Sequence, residues 1–239
     1  MFLLAAAGFG IMILAHTAPF PFLLDVLTPA QSVWHVDLGD GPPTIYLTFD
    51  DGPNVSVTPE LLDVLARERA VATFFLIDKH VTAESSPIIR RMFAEGHGVG
   101  LHAGTRRFML MSPEVLARRL TVAADRIEEL TGSRPCRVFR PHAGWRSGQM
   151  SAGLARIDHA LVGWGWGLWD WNWYRTSDPQ SLAKRLARRV SAGDIVVMHD
   201  GHHEDPRANR QSIITAVTQL IPALRAKMFT FRTICDVVG

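Results

Sequence analysis

Short apolar runs alternate with longer segments of helical periodicity from about residue 44 to the C-terminus, and this alternation is the strongest constraint on the fold. The short runs are rich in β-branched and aromatic residues, which is typical of buried strands. Strands that alternate with helices form parallel sheets, because each helix returns the chain to the same edge of the sheet. About seven such pairs predict a (β/α) barrel or a similar closed sheet. The alternative is a doubly wound open sheet.

The chain divides at about Ser32. Residues 1–31 form an apolar N-terminal segment, and residues 32–239 form the (β/α) domain. Strands are predicted over residues 44–49, 72–77, 99–101, 137–139, 160–169, 194–198 and 229–234. Helices are predicted over residues 86–95, 112–130, 148–157, 180–190 and 211–227. One further helix is expected to begin at Thr58, as its cap, with Pro59 in the first position.

Two adjacent carboxylates, Asp50 and Asp51, follow the first predicted strand, and Gly52 and Pro53 force a turn directly after them. The repulsion between the two acids is tolerated most easily when a metal, another cation or a shared proton neutralises one of them. An isolated Asp-Asp-Gly also occurs in simple turns and helix caps, which is the alternative interpretation.

Four more polar residues favour a functional interpretation, because each follows a different predicted strand. They are His102, Arg140, Asp170 and His199. The carboxyl ends of parallel strands meet on one face of a barrel, where such barrels place their active sites. The sequence therefore predicts an active site that contains these residues and the two aspartates.

These residue types indicate hydrolytic chemistry. Asp and His are suitable ligands for Zn²⁺ or another divalent first-row ion. A second carboxylate can act as a general base on water, and a histidine on the opposite side can protonate the leaving group. Backbone N–H groups in the turn at residues 141–144 could stabilise an oxyanion. The pattern predicts a hydrolase that acts on a polarised carbonyl.

Five short sequences occur in the order that is typical of polysaccharide deacetylases. They are Thr-Phe-Asp-Asp-Gly-Pro at 48–53, Gly-His at 96–97 leading to His102, Arg-Pro at 140–141 leading to Gly144, the Trp-Asp-Trp around Asp170, and the run from Ile195 to His199. From about residue 46 onward the chain thus resembles carbohydrate esterase family 4, the NodB homology domain. The resemblance implies a distorted (β/α) barrel of about seven parallel strands that removes acetyl groups from N-acetylated glycans, such as chitin oligomers or peptidoglycan.

The resemblance also implies catalytic roles for the matching residues. Asp50 would be the catalytic base and His199 the general acid. Arg140 would hold the base in place and pair with Asp170. The divalent metal, zinc by its ligand types, would be bound by Asp51 and His102.

Substrate contacts are implied at four positions. By resemblance, Trp171 would wall the sugar groove, the backbone N–H of Ala143 would donate to the oxyanion, and Val197 would line the acetyl pocket. Trp145 is a further aromatic residue that we expect to reach the groove. Aromatic residues are also common in cores, which is the competing interpretation for both tryptophans.

The second motif departs from the family pattern. Arg106 stands four positions after His102, where a second histidine would be the third metal ligand. Arginine stays protonated and cannot bind a metal. Another histidine could complete the site, the candidates being His142, His202 and His203. Alternatively, Asp51 and His102 bind the metal weakly with waters, or the charge of Arg106 replaces the ion.

The composition excludes some partners and leaves others open. Lys and Arg number 25 against 23 Asp and Glu, without a run of five like charges, so a nucleic-acid partner is not expected. Cys136 and Cys235 fit no zinc spacing and are interpreted as thiols of the core. His80 is interpreted as structural, and His202 and His203 are also consistent with an ordinary solvated loop.

The apolar N-terminus suggests a membrane. Residues 1–27 are largely apolar, but the first uninterrupted run is shorter than a membrane span and has no preceding Lys or Arg. We expect membrane association through residues 1–27 or export, and hence a membrane-associated or extracytoplasmic protein. A buried N-terminal helix is the alternative.

Two other functions remain compatible with the sequence. Arg106 is consistent with a degenerate relative that binds glycan without turnover. The same barrel could also hydrolyse a different C–N or ester bond, since a fold does not determine a reaction.

Overall fold

The computed structural model describes residues 32–167 and 178–238, which form a parallel sheet surrounded by helices. The strands are β1 Ser32–Val33, β2 Thr44–Gly52, β3 Thr73–Ile77, β4 Gly98–His102, β5 Val138–Arg140, β6 Ala160–Val162, β7 Trp166–Gly167, β8 Ile195–His199 and β9 Thr230–Phe231. The helices are α1 Thr58–Arg67, α2 Ser86–Ala94, α3 Pro113–Thr131, α4 Gly148–Ala155, α5 Pro179–Arg189, α6 Gln211–Arg225 and α7 Cys235–Val238. Among these residues no helix is both long and apolar enough to cross a membrane.

The strand order is β1-β6-β5-β4-β3-β2-β8-β7, with β9 beside β2, and every one of these pairings is parallel. Strand β6 pairs with β5 and strand β7 pairs with β8, so the short segment at 160–167 links the two sides of the sheet. The predicted distorted (β/α) barrel with parallel strands is confirmed.

Side chains of the strands alternate between an outer and an inner layer, as the period of a strand requires. In β2, Leu47 and Phe49 pack in the large cluster between sheet and helices. Tyr46 packs in the smaller inner cluster, together with Val197 of β8. This alternation places Thr48 and Asp50 on the inner side, facing the middle of the barrel.

The prediction of one continuous strand over residues 160–169 is wrong. Residues 163–165 separate β6 from β7. Gly163 lies against the ring of Trp34, and a Cβ atom at this glycine would come within 1.8 Å of that ring. The chain therefore leaves the β5 side at Gly163 and joins β8 at β7. The strand predicted at 229–234 is also shorter than expected, because α7 follows β9 closely.

The prediction that Cys136 and Cys235 are core thiols is wrong, because they form a disulfide with 5.7 Å between their Cα atoms. Cys136 precedes β5, and Cys235 begins the C-terminal helix α7. The two cysteines are 99 residues apart, so spacing alone gave no sign of the pairing. The bond fastens the C-terminal helix to the sheet.

We expect the Cys136→Ala, Cys235→Ala double variant to lose about 2–4 kcal/mol of unfolding free energy, because a cross-link over a long loop restricts the unfolded chain. Urea unfolding with and without dithiothreitol measures the loss. Reductant should lower the midpoint for the wild type and leave the double variant unchanged. Equal midpoints for the oxidised wild type and the double variant would contradict a stabilising bond.

Candidate active site

The end of strand β2 brings two carboxylates to the carboxyl face of the barrel. Asp50 lies opposite His199 in the register of β2 with β8. The pairing with β3 shifts between Asp50 and Gly52, and Asp51 has a φ of 68°. A regular strand would point adjacent side chains to opposite sides. This bulge instead lets both acids contact residues of the same site.

Arg140, at the end of β5, is completely buried and binds Asp50. Its Nη1 donates to Asp50 Oδ1 and to Thr48 Oγ1, each at 2.7 Å. Its Nε and Nη2 donate to the carbonyl oxygens of Val162 and Gly163. The guanidinium is thus fixed by several hydrogen bonds, and it holds Asp50 as a paired, buried carboxylate.

Asp51, His102 and His142 converge so that one potential ligand atom of each lies within 4.8 Å of the others. His102 Nδ1 lies 2.9 Å from the carbonyl oxygen of Arg140, to which it can donate. That hydrogen bond leaves a lone pair on Nε2, which lies 3.3 Å from Asp51 Oδ1. Two lone pairs at this distance repel each other unless a cation or a proton lies between them.

Two further observations fit a metal at this cluster. Asp51 Oδ1 and His142 Nδ1 are both buried without a hydrogen-bond partner among the described residues. Burial lowers the pKa of His142 to about 4, with His102 adding to the effect, so its imidazole is neutral near pH 7. Burial raises the pKa of Asp51, but the neighbouring histidines outweigh burial and hold it well below its usual range. One carboxylate and two neutral imidazoles are a donor set for a divalent ion.

Arg106 lies outside this cluster. It begins a short 3-10 turn, Arg106–Leu110, and its side chain is exposed. Its guanidinium lies 5.3 Å from the centre of the Trp145 ring. Of the residues proposed to complete the cluster, the structure places His142 within it.

Other histidines surround the cluster. The rings of His142 and His203 are 5.1 Å apart, and those of His203 and His202 are 4.5 Å apart. His80, interpreted from sequence as structural, is buried with Nδ1 3.2 Å from the carbonyl oxygen of Asp51. Its position beside the site follows from the short turn after β3, which the sequence pattern did not reveal.

A buried acid behind the site, Asp200, was not identified from the sequence. Thr58, expected to cap α1, instead lies inside that helix, where its hydroxyl accepts from the Asn54 N–H and donates to Asp200. Burial raises the pKa of Asp200 to about 7, and the charges of Asp51 and Asp50 add to the effect. The signal in the sequence was its place directly after His199.

We expect the unfolding free energy of the metal-free wild type, relative to Asp200→Asn, to fall as the pH rises from about 4 to about 7. The folded protein holds this proton more tightly than the unfolded chain, so unfolding releases it within that window. Above the folded pKa the difference should be constant. Urea unfolding of both proteins in chelator at several pH values measures it, and a difference that rises with pH would contradict the assignment.

The structure describes three of the five remaining residues that were predicted to belong to the site. Val197 lies on the same side of β8 as His199, two residues earlier, and is buried in the inner cluster. Ala143 has a φ of 50° in the turn His142–Gly144, and Trp145 follows this turn half-buried. Asp170 and Trp171 lie outside the described residues.

Comparison with known proteins decides the family. The family model for polysaccharide deacetylases matches residues 38–162, which is more than half of the chain. The chain belongs to the polysaccharide deacetylase family. A chitooligosaccharide deacetylase of Sinorhizobium fredii is 34% identical over 203 residues, which cover 82% of this chain and 92% of that protein.

Solved structures share the fold of this polysaccharide deacetylase. The Bc1960 peptidoglycan N-acetylglucosamine deacetylase superposes with a TM-score of 0.75 at 21% identity, covering 92% of this chain and 96% of the other. A mutant of BA3943, described as a CE4 family pseudoenzyme with restored enzymatic activity, gives a TM-score of 0.73 at 23% identity over 90% and 74% of the two chains. The predicted family, and with it a hydrolase of the deacetylase type, is confirmed.

Proposed function

We propose that this polysaccharide deacetylase hydrolyses the acetamido groups of an N-acetylated glycan. The observation that carries the proposal is the pair of adjacent acids, one held by Arg140 and the other facing two histidines. The named activities of its relatives on chitooligosaccharides and peptidoglycan support the same substrate class.

Asp50 acts as the general base in this proposal. The ion pair with Arg140 keeps its carboxylate charged and oriented, and its second oxygen can accept a proton from the attacking water. Asp170 would support Arg140 from outside the described residues. The backbone N–H of Ala143 would donate to the oxyanion that develops on the acetyl group.

Asp51, His102 and His142 would hold a divalent ion, which we propose to be zinc. When bound, such an ion supplies Lewis acidity toward the acetyl carbonyl and the attacking water. His199, opposite Asp50 in the strand register, would give its proton to the departing amine. Val197 would border the acetyl methyl group, and Trp145 and Trp171 the sugar rings.

The direct test is acetate release from chitopentaose and from peptidoglycan strands freed of peptide, with the metal-loaded wild type. Release that saturates with glycan concentration is the expected result. Metal-loaded protein that releases no acetate from either substrate would contradict the proposal.

Glycan binding without turnover is the second candidate, and Arg106 favours it, because a cation stands where the family motif has a metal ligand. BA3943, which has the same fold, is described as a pseudoenzyme. Isothermal titration with chitopentaose, combined with the acetate assay, distinguishes the two functions. A pseudoenzyme binds the oligomer without producing acetate, whereas a deacetylase binds it and releases acetate.

We also propose that the protein works at the membrane or outside the cytoplasm. The Cys136–Cys235 disulfide supports this location, because such bonds persist mainly in oxidising compartments. Residues 1–27 would provide membrane association. Fractionation that finds the full-length protein only in the cytoplasm, with reduced cysteines, would contradict the location.

A further inference from the structure

Arg106 is held at the rim of the site by an aromatic contact. Its guanidinium packs over the Trp145 ring, and the backbone N–H of Trp145 donates to the carbonyl oxygen of His142 at 3.1 Å. The arginine therefore stands beside the turn that carries His142, while its side chain remains exposed. Stacking on a ring orients a guanidinium without neutralising its charge.

No carboxylate of the described residues balances the charge of Arg106. Within residues 32–167 and 178–238, no acidic side chain lies within ion-pair distance of it. Other arginines of the surface are paired, for example Arg119 with Asp78 and Arg134 with Asp125. The helical turn at Arg106–Leu110 thus presents an oriented cation whose partner is not supplied by the described part of the chain.

Further polar groups lie in the turn after β3 and in the loop after β8. Lys79, the second residue after β3, is exposed. His202 Nδ1 accepts backbone N–H groups of Glu204 and Asp205 at 3.3 Å, which leaves its Nε2–H as a donor. The rim therefore presents cations and N–H donors around the proposed reaction centre. The same loop also carries one acid, Glu204, beside His202.

We propose that Arg106 binds an anionic substituent, a carboxylate or a phosphate, carried by the glycan close to the acetamido group that is hydrolysed. This inference rests on the proposed function and specifies its substrate class. A guanidinium is suited to both anions, because its planar donors can give two parallel hydrogen bonds to either. Arg106 then determines specificity, and Asp50 and the metal ligands perform the reaction.

Three oligomers that differ in the group at position 6 of the sugar, one neutral and two anionic, test the proposal. They are chitotetraose, its 6-carboxyl derivative and its 6-phosphate derivative. Acetate release gives kcat/KM for each, with wild type, Arg106→Gln and Arg107→Gln. The last variant is the matched control, because it removes the same charge from an exposed position one residue further along the turn.

We expect the wild type to prefer at least one anionic oligomer by about tenfold or more, in line with a charge-assisted hydrogen bond. Arg106→Gln should abolish that preference and leave kcat/KM for neutral chitotetraose nearly unchanged, while Arg107→Gln keeps the preference. The carboxyl and phosphate arms show which anion is bound. Equal rates on all three oligomers with the wild type, or an equal loss on all three with Arg106→Gln, would overturn the proposal.

Binding separates this inference from the proposed function. Isothermal titration of the three oligomers with wild type and Arg106→Gln, at low and high salt, requires no turnover. If no oligomer releases acetate, the deacetylase proposal fails, and a salt-sensitive affinity for the anionic oligomers that depends on Arg106 still supports the anion site. Uniform affinities in these titrations would reject the anion site even in an active enzyme.

Discussion

Asp50→Asn is expected to lower kcat/KM for acetate release by about 10²- to 10⁴-fold, the usual contribution of a positioned general base. The amide can still accept the hydrogen bond from Arg140 Nη1, but it cannot take a proton from water. Initial rates on chitopentaose with the metal-loaded variant measure the loss. Zinc affinity should stay within about tenfold of the wild type, because Asp51 is retained.

Thr48→Val is the control for this substitution. It removes another hydrogen bond of Arg140 Nη1 and leaves the carboxylate of Asp50 in place. We expect Thr48→Val to keep most of the activity that Asp50→Asn loses, with urea unfolding showing that both variants are folded. Substantial activity in folded Asp50→Asn would assign the base to another residue.

His142→Ala is expected to weaken zinc binding by about 100-fold or more. It removes one of three converging ligands, and even the loss of an outer partner of a metal ligand typically costs about 10- to 100-fold. Competition with a chromophoric chelator, starting from metal-free protein, measures the affinity independently of activity.

His203→Ala is the matched control, because its ring lies 5.1 Å from His142 but outside the converging group. If His203→Ala weakens zinc binding and His142→Ala does not, the third ligand comes from the loop after β8. Unchanged affinity in both variants would favour a site made by Asp51 and His102 with waters.

The main features of the site could be predicted from sequence because strand periodicity determines where polar residues emerge. His102, Arg140 and His199 each end a strand, and Asp50 lies two residues before the end of β2, so the parallel strands bring these residues together. The pairing of Arg140 with Asp50 follows from the same geometry. Its pairing with Asp170 stays a prediction.

The other features of the site and the fold depend on backbone geometry that leaves no periodic pattern in the sequence. His142 reaches Asp51 and His102 through a turn in which Ala143 adopts a positive φ, so the sequence could only name it among three histidines. The disulfide joins residues 99 positions apart. The break between β6 and β7 arises where Trp34, from a distant part of the chain, covers Gly163.

The most direct test of a metal-dependent deacetylase is acetate release from chitopentaose by metal-free protein while zinc is added stepwise. Activity is expected to rise with occupancy of a single site, to reach its maximum near one equivalent and to be lost again in chelator. Release that persists unchanged in chelator would contradict the proposed metal site. Absence of release at full zinc occupancy, with chitopentaose still bound, would contradict deacetylation and favour glycan binding without turnover.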